Sequence, residues 1–449
     1  MKKRKEELQK GLAWVLSVDM GYGHERAAHP LKKIALDQEI IIANNYPGIT
    51  KKDRRVWKRS RLFYEFISRF KKFPLIGERA FKLYDRLQDI PDFYPRRDLS
   101  NPSFELKTIY RLIKRGWLKN LIIKLNSKKI PFVTTFFIPA FVAEEWGFQD
   151  EIYCIVTDTD MSRSWVAKES KKSRIKYFAP TQRVVERLKL YGVKEKNIFL
   201  TGFPLPKENI YWKGRRILES DIASRIYNLD PSGRFINRYE DTLKRHLGVR
   251  NFKNRKNHPL SLTFAVGGAG AQRGIGVKIM DSLKKKIRQG DIRVLLIAGS
   301  RNDVYSYFRE AIGDCGLKSC FGKGIDILYW PDKNKYFTHF NKALRTTDIL
   351  WTKPSELSFF AGLGIPVIMA PPIGSQEFFN REWLESVGAG LNQQDPRYVN
   401  EWLFDWLESG WLAKAALEGY LYAPKMGTYN IEQILLHKKL RLERPTLVY

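Results

Sequence analysis

The sequence is poor in cysteine and has no long apolar run. Only Cys154, Cys315 and Cys320 occur among its 449 residues. Such sparse use argues against a disulfide framework or a zinc site and favours a reducing compartment. The longest apolar stretch, residues 130–143, falls short of the roughly 18 residues that a membrane-spanning helix needs, and it contains Pro139. We expect a buried strand followed by a helix in this stretch, and no transmembrane span.

The sequence also lacks targeting and metal-binding patterns. No apolar segment follows the charged start MKKRKEELQK, so we expect no secretory signal. The expected location is the cytoplasm, with peripheral attachment to the inner face of the cell membrane as an option. His29, His246, His258, His339 and His437 have no ligand-like spacing, and no metal site is expected.

Positive charge is abundant and uneven. The formal net charge is +31, and residues 51–130 hold 23 Lys and Arg against 8 Asp and Glu, a net charge of +15. Aromatic residues such as Trp57 and Phe63 interleave with these charges. Nucleic acid, anionic lipid headgroups and acidic substrates all bind to such a surface. Charge alone does not choose among them.

Apolar strands alternate with helical patterns in two series, which predicts parallel sheets covered by helices on both faces. The first series places strands at 13–18, 40–44, 132–136, 152–157, 177–179 and 198–201, with helices at 105–126, from Ala140 and at 181–191. The second series places strands at 262–266, 294–298, 325–329, 349–351 and 367–370, with helices at 275–288, from Asp303, and at 336–345, 355–362 and 377–387.

The predicted fold is therefore α/β, with two Rossmann-like doubly wound domains that face a cleft. Residues 1–206 form the first domain, which carries a basic, aromatic, helical insertion at about 50–103. Residues 207–258 are polar and irregular in pattern, so we expect a linker with an insertion. Residues 259–430 form the second domain, and 431–449 a tail or helix. Ligands of such sheets bind outside the carboxyl ends of the strands.

A glycine-rich loop, GGAGAQ at 267–272, lies between a predicted strand and a helix of the second domain. Glycines allow backbone N–H groups to approach an anion, and the helix N-terminus adds a favourable dipole. The loop lacks the Gly-Lys-Ser/Thr of a P-loop and is not a full G-x-G-x-x-G motif. We interpret it as a phosphate-binding turn, with a tight turn that binds no ligand as the alternative.

A second group of polar residues follows two later strands of this domain. Its members lie within TKPSELSFFAGLGIPVIMAPPIGSQEFFN at 352–380, and we expect them on one side of the sheet. Carboxylates and amides there bind ribose hydroxyls, and a helix start at Ser355 faces phosphate. The candidate donor-binding residues are Gly267, Gly268, Ala269, Gly270, Gln272, Lys353, Ser355, Glu356, Gly374, Gln376, Glu377 and Asn380.

The first domain offers two further loops after strands. DMGYGH at 19–24 opens a helix, and His24 titrates where a general base is useful. VTDTDMSRSW at 156–165 places Asp158 and Asp160 just past a strand. Such carboxylates act as a base, as a stabiliser of cation-like states or as acceptor ligands, or they only cap the next segment. We take Gly21, Gly23, Asp160 and Arg163 as candidate acceptor residues.

These stretches, in this order, resemble the GT-B glycosyltransferases that modify lipids. The similar families are the monogalactosyl- and glucosyl-diacylglycerol synthases and the N-acetylglucosaminyltransferase of the peptidoglycan lipid precursor. GYGH at 21–24 looks like their N-terminal loop, and VTD at 156–158 with Trp165 looks like the motif behind their acceptor pocket. FAPTQRVVERLKLYGVKEKNIFLTGFPL at 178–205 looks like the end of their first domain. GGAGAQ looks like their donor-diphosphate loop, and TKP, GIPVI and GSQEFFN look like their donor-sugar and nucleotide segment.

The resemblance implies transfer of a hexose from a nucleoside-diphosphate sugar, UDP-linked by analogy, to a hydroxyl of a lipid-linked acceptor. It also implies inversion of configuration, with no bound metal and no cofactor besides the nucleotide sugar as co-substrate. Within it, His24 is a catalytic or acceptor-positioning group and Asp158 the base. The basic segment implies contact with an anionic membrane surface, and a solvated basic face is the alternative. Nucleic acid is not an expected partner, because no recognised binding motif occurs.

Two departures limit the resemblance. Phe359 occupies the position at which those families place a ribose-binding glutamate, and Glu356 is the candidate substitute. Met161, Ser162 and Arg163 replace a segment that carries a histidine in the diacylglycerol enzymes. A sugar-nucleotide 2-epimerase of the same fold, and a basic nucleic-acid-binding or scaffold protein with a degenerate transferase fold, remain alternatives.

Overall fold

The computed structural model describes residues 12–59, 90–212, 215–252, 258–265, 267, 270 and 272–437. Two compact units divide the chain. Unit 1 comprises Met1–Leu205, Gly374–Phe379 and Met426–Tyr449, and unit 2 comprises Pro206–Ile373 and Asn380–Lys425. Each unit has its own parallel sheet. The predicted donor residues Gly268 and Ala269, and residues 60–89 of the predicted insertion, lie outside the described residues.

The sheet of unit 1 has six parallel strands in the order β2-β1-β3-β4-β5-β6. Its strands are β1 Ala13–Ser17, β2 Ala35–Ile42, β3 Phe132–Thr134, β4 Ile152–Ile155, β5 Lys176–Ala179 and β6 Ile198–Leu200. Its helices are α1 Tyr22–Ala28, α2 Phe104–Lys114, α3 Lys119–Leu125, α4 Phe137–Glu145 and α5 Gln182–Leu190, and residues 51–59 are also helical. The chain changes direction between β1 and β3, so the loops after these two strands flank the switch point of the sheet.

The sheet of unit 2 also has six parallel strands, in the order β11-β10-β9-β12-β13-β14. A short hairpin of β7 Tyr211–Trp212 and β8 Arg215–Arg216 precedes it. The strands of the sheet are β9 Ser261–Ala265, β10 Arg293–Gly299, β11 Ile325–Tyr329, β12 Ile349–Thr352, β13 Val367–Met369 and β14 Gly390–Asn392. The switch point lies between β9 and β12. Both sheets confirm the predicted fold class of two doubly wound, Rossmann-like units.

Helices cover the second sheet, and several of them were not predicted from the sequence. They are α6 Leu218–Leu229, α7 Arg234–Leu247, α8 Arg273–Gln289, α9 Asn302–Asp314, α10 Lys333–Leu344, α11 Ser375–Ser386, α12 Val399–Glu408 and α13 Trp411–Tyr422, with a 3₁₀ helix at Glu356–Leu363. The final helix, α14 Gly427–His437, belongs to unit 1. There Asn430 donates to the Thr201 carbonyl at 2.8 Å, and Ile431 and Ile434 pack in the core beside β1.

Two expectations about local structure are wrong. The stretch expected as one helix at 105–126 is broken, because Gly116 and Leu118 adopt φ of 93° and 58°. The buried carboxylate of Asp53 accepts from the Leu118 amide at 3.1 Å, which satisfies the turn. The stretch expected to be a linker with an insertion at 207–258 contains the helices α6 and α7, which belong to unit 2. The α6 helix buries an apolar stripe that its many polar residues obscure in the sequence.

No described helix has both the length and the apolar content that crossing a membrane requires. As expected, residues 130–143 form a buried strand and the helix α4. Pro139 sits in the first turn of α4, where its missing N–H has no helical acceptor to lose.

Candidate active site

The site in unit 1 is built by the loops that follow β1, β3 and β4. Gly21, at φ 108°, lets the chain turn sharply from β1 into α1, which contains Gly23 and His24. Asn44 holds this loop on both sides, since its side chain accepts from the Asp19 amide at 2.9 Å and donates to the Asp19 carbonyl at 3.0 Å. The loop is therefore fixed at the carboxyl end of β1.

The His24 imidazole is fixed from the neighbouring strand. Its Nδ1 lies 2.8 Å from the Thr135 carbonyl oxygen, immediately after β3. A carbonyl can only accept, so this hydrogen bond requires the proton on Nδ1, and in the neutral ring Nε2 is then the basic atom. The ring also meets the edge of Phe136, with centroids 4.9 Å apart, and lies 6.1 Å from the Trp165 ring. His24 thus presents a defined tautomer inside an aromatic wall.

Asp158 follows β4 at the same edge of the sheet and is half-buried. Because β1, β3 and β4 are neighbours, the ends of β1 and β4 are separated by two strand spacings of about 4.8 Å each. The sheet therefore brings the loops of His24 and Asp158 to one region.

Asp160 and Arg163 have structural contacts. The carboxylate of Asp160 is 1% exposed and pairs with the buried Arg187 at 2.8 Å, while one oxygen accepts from the Met161 amide at 2.8 Å. The guanidinium of Arg163 donates to the carbonyls of Ser100, Val166, Ala167 and Lys168. These contacts favour the capping alternative for Asp160. The guanidinium of Arg163 serves to link Ser100 to the segment 166–168.

The site in unit 2 joins the loops after β9, β10, β12 and β13. Lys353, directly after β12, lies against Gly267, where an added Cβ would come 2.6 Å from Lys353 Cε. Gln272 donates to the Pro371 carbonyl, after β13, at 2.9 Å. The Gly270 amide donates to the Gly267 carbonyl at 2.7 Å and closes the turn. Four of the predicted donor residues, Gly267, Gly270, Gln272 and Lys353, therefore lie at the switch point, in front of the N-terminus of α8.

Two cations of this site were missed in the sequence. Arg301 follows β10, and a Cβ on Gly270 would come 3.3 Å from its Nη1. Arg273 begins α8 and lies over the Tyr307 ring at 4.4 Å. A side-chain hydrogen bond from Arg301 lowers the pKa of Asp303. Both cations follow a strand end or the glycine-rich loop in the sequence, and the position of Arg301 just after β10 is the signal that identifies it.

The remaining donor candidates lie around the 3₁₀ helix and α11. Ser355 precedes the 3₁₀ helix as its N-cap position, and Glu356 is its first residue and half-buried. Gly374, Gln376 and Glu377 are half-buried and group with unit 1, whereas the fully buried Asn380 groups with unit 2. Phe359 is fully buried, with its ring 5.2 Å from that of Trp383. This core position of Phe359 leaves Glu356 as the ribose candidate.

Among the described residues, no group of three or more His, Cys, Asp or Glu side chains could hold a metal ion. Aromatic rings do occur at the same edge of the sheet as the donor loop. Tyr329, which ends β11, stacks on Tyr305 at 4.8 Å, and Trp330 stacks on His339 at 4.3 Å.

Comparison with known proteins confirms the predicted resemblance. No family model matches the chain. It is 22% identical over 293 residues to the processive diacylglycerol beta-glucosyltransferase of Staphylococcus carnosus, covering 65% of this chain and 62% of the relative. The enzyme of the same name from Bacillus licheniformis is 20% identical over 314 residues, with 64% and 68% covered. The chain thus spans about three fifths of the first relative's length.

The chain is also similar, at low identity, to several solved structures. MurG of Acinetobacter baumannii has a TM-score of 0.41 and 13% identity, covering 74% of this chain and 77% of that one. The UDP-GlcNAc 2-epimerase of Neisseria meningitidis bound to UDP-GlcNAc has a TM-score of 0.43 and 12% identity, covering 81% and 88%.

Proposed function

We propose that the protein is a GT-B-type glycosyltransferase that transfers a hexose from a nucleoside-diphosphate sugar, UDP-linked, to a hydroxyl of a lipid acceptor. The observation that carries this proposal is the meeting of Gly267, Lys353 and Gln272 at the switch point of unit 2. A glycine turn, nearby cations and a helix N-terminus are the features that bind a diphosphate. Sequence similarity to diacylglycerol glucosyltransferases supports the sugar chemistry and the lipid acceptor.

Unit 2 binds the donor in this proposal. Backbone amides of the loop at 267–272 and the side chains of Lys353 and Arg301 stabilise the charge that develops on the departing diphosphate. Glu356 accepts hydrogen bonds from the ribose hydroxyls. The Tyr305–Tyr329 and Trp330–His339 stacks at the same sheet edge offer apolar surface for the nucleobase.

Unit 1 binds the acceptor and removes its proton. The acceptor oxygen attacks the anomeric carbon, the bond from that carbon to the diphosphate oxygen breaks, and configuration inverts. We expected Asp158 as the base, but the hydrogen bond at Nδ1 of His24 leaves Nε2 as the basic atom and favours His24 for this step. Asp158 then positions the acceptor hydroxyl. The reaction uses no bound metal.

The test is turnover by the full chain. Purified protein receives UDP-glucose, UDP-galactose or UDP-N-acetylglucosamine with diacylglycerol in mixed micelles, and glycolipid and UDP are measured with and without EDTA. The expected result is EDTA-insensitive glycolipid formation from one donor. His24→Gln lowers kcat by at least about a hundredfold, the lower range for a general base. His437→Gln, at the end of α14, serves as a matched histidine control and keeps wild-type activity.

The alternatives have distinct outcomes, one in this assay and one in a binding measurement. Conversion of UDP-N-acetylglucosamine to its 2-epimer without any acceptor identifies an epimerase. Salt-sensitive RNA binding without affinity for any nucleotide sugar identifies a nucleic-acid-binding or scaffold protein.

A further inference from the structure

The side chain of Thr134 makes two hydrogen bonds to one residue beside His24. Its Oγ1 accepts from the Phe136 amide at 3.1 Å and donates to the Phe136 carbonyl at 2.9 Å. Thr134 ends β3 and is fully buried. A buried hydroxyl that is satisfied in this way fixes the backbone of the two residues that follow it.

The peptide group between Thr135 and Phe136 links this hydroxyl to the imidazole. Its N–H is the one that donates to Thr134, and its C=O is the one that accepts from His24 Nδ1 at 2.8 Å. In a trans peptide the N–H and C=O point in opposite directions, so fixing one direction fixes the other. The Thr134 hydroxyl therefore aims the carbonyl at His24.

Hydrogen bonds to β1 also hold Thr135, the residue that supplies the carbonyl of this peptide. The Thr135 amide donates to the Leu16 carbonyl of β1 at 3.1 Å, and the Thr135 hydroxyl donates to the buried Ser17 hydroxyl at 3.1 Å. These contacts anchor the Cα of Thr135 but leave the plane of the next peptide to be set by Thr134. The Phe136 ring, which is attached to the Cα that follows this peptide, contacts the His24 ring.

We infer that Thr134 is a positioning residue for His24: its hydroxyl sets the peptide that fixes the Nδ1-protonated tautomer. This inference rests on the proposed function for its kinetic consequence, but not for its structural one. Loss of the hydroxyl leaves the Phe136 N–H without its acceptor, and the peptide can turn. His24 then loses a fixed acceptor at Nδ1, and Nε2 is no longer held as the basic atom.

The test compares Thr134→Val with Thr134→Ser. Valine keeps the β-branched shape and removes the hydroxyl, whereas serine keeps the hydroxyl and removes the methyl group. Thr263→Val is the matched control, since it removes a buried strand hydroxyl in unit 2, where Thr263 meets the Thr347 hydroxyl at 2.9 Å. This control reports the general cost of losing such a hydroxyl.

The first readout is the tautomer of His24, measured by long-range ¹H–¹⁵N correlation spectra of histidine-labelled full-length protein and assigned with His24→Gln. We expect the Nδ1–H form in the wild type, Thr134→Ser and Thr263→Val, and a mixture of tautomers in Thr134→Val. A pure Nδ1–H form in folded Thr134→Val overturns the inference, whether or not the protein is a transferase.

The second readout is kinetic. Thr134→Val lowers kcat about tenfold or more, which is part of the roughly hundred- to ten-thousandfold that a general base contributes, and leaves the donor KM unchanged. Thr134→Ser restores kcat. If the tautomer changes in Thr134→Val but the wild-type protein turns over no donor, the proposed function is refuted and the positioning role of Thr134 remains. Normal kcat in a Thr134→Val protein with altered tautomer refutes the catalytic consequence.

Discussion

At the scale of residues, the contact between Gly267 and Lys353 is the centre of the proposed donor site. A Cβ at position 267 would come 2.6 Å from Lys353 Cε, so only glycine leaves the lysine side chain where it lies. Because the atom in the way belongs to a flexible side chain, the lysine can move aside at little cost to the fold. The contact therefore separates an effect on ligand binding from an effect on stability.

Gly267→Ala is expected to weaken donor binding by about ten- to a hundredfold, since a hydrogen bond to a charged group contributes about 1.5–3 kcal/mol. The melting temperature stays near that of the wild type. Gly313→Ala is the matched control, because its Cβ would come 2.8 Å from Lys318 Cε outside the site. Isothermal titration with the preferred nucleotide sugar measures both. Equal affinities of the two variants contradict the role of Lys353.

A second residue-scale prediction concerns pH. Burial raises the pKa of Glu105, in the first turn of α2, from 4.5 to about 7, and its Oε2 has no hydrogen-bond partner among the described residues. The folded state then binds more protons than the unfolded state between pH 4.5 and 7. Stability falls as pH rises through this window, by on the order of 3 kcal/mol.

Glu105→Gln removes this titrating group. We expect the variant to be more stable than the wild type at about pH 8 and to show little difference at about pH 4. Urea denaturation at both values measures the change. A stability difference that does not vary with pH would falsify the buried, neutral state of Glu105.

The residue types at the site were partly predictable. Lys353, Gly267 and Gln272 follow strand ends, and the carboxyl-end rule selects them from the sequence. Asp160 satisfies the same rule, yet its partner Arg187 lies 27 positions away and only the fold brings the two together. A strand-end position places a side chain at one edge of the sheet. It does not show whether that side chain is already paired with another residue of the protein.

At the scale of elements, α6 is a core helix where the sequence predicted a linker. Its Arg225 is fully buried, and the guanidinium donates to the carbonyls of Leu344, Thr347, Leu363 and Gly364. These carbonyls lie at the end of α10, in the turn before β12 and at the end of the 3₁₀ helix. A buried arginine lowers the hydropathy of the helix that carries it, so the sequence pattern does not identify α6 as a core helix.

Arg225→Met is expected to destabilise unit 2 by about 3 kcal/mol or more, because the buried carbonyls lose their donors. Arg397→Met is the control, since Arg397 is exposed and pairs with Asp395, itself partly exposed, at 2.5 Å. An exposed pair of this kind contributes little to stability. Urea unfolding measures both variants, and a loss for Arg225→Met no larger than that of the control contradicts this account of α6.

The strands and most helices were predictable because apolar periodicity is a local signal. The break between α2 and α3 was not. It depends on the Asp53 carboxylate, 65 positions from Leu118, which stabilises a left-handed residue inside an otherwise helical pattern. The final helix α14 likewise packs on a sheet whose first strand lies near the other end of the sequence.

At the scale of the whole molecule, the formal net charge of +31 favours an anionic partner. Exposed basic residues line the helical stretch 51–59 of unit 1, among them Arg54, Arg55 and Lys58. A lipid-modifying enzyme that binds an anionic surface would use such a face. The charge is visible in the sequence, but the partner is not.

Replacing Arg54, Arg55 and Lys58 by glutamate is expected to weaken binding to anionic vesicles by roughly a hundredfold, since each basic residue near the surface contributes about 1 kcal/mol. Cosedimentation with phosphatidylglycerol vesicles measures this, with phosphatidylcholine vesicles as the uncharged reference. The matched control replaces Lys284, Lys285 and Arg288 on α8. Equal loss in both triple variants identifies non-specific charge attraction and contradicts a membrane face at 51–59.

The central claim is that unit 2 holds the diphosphate of a nucleotide sugar at Gly267 and Lys353. Its most direct test is a thermal-shift screen of UDP-, GDP-, ADP- and TDP-sugars on the wild type, on Lys353→Met and on Lys414→Met, an exposed lysine that pairs with Glu418. A ligand at about one hundred times its Kd adds about 2.7 kcal/mol of stability. We predict a shift with one donor family, preserved in Lys414→Met and strongly reduced in Lys353→Met. No shift with any of these sugars, or an undiminished shift in Lys353→Met, would contradict the claim.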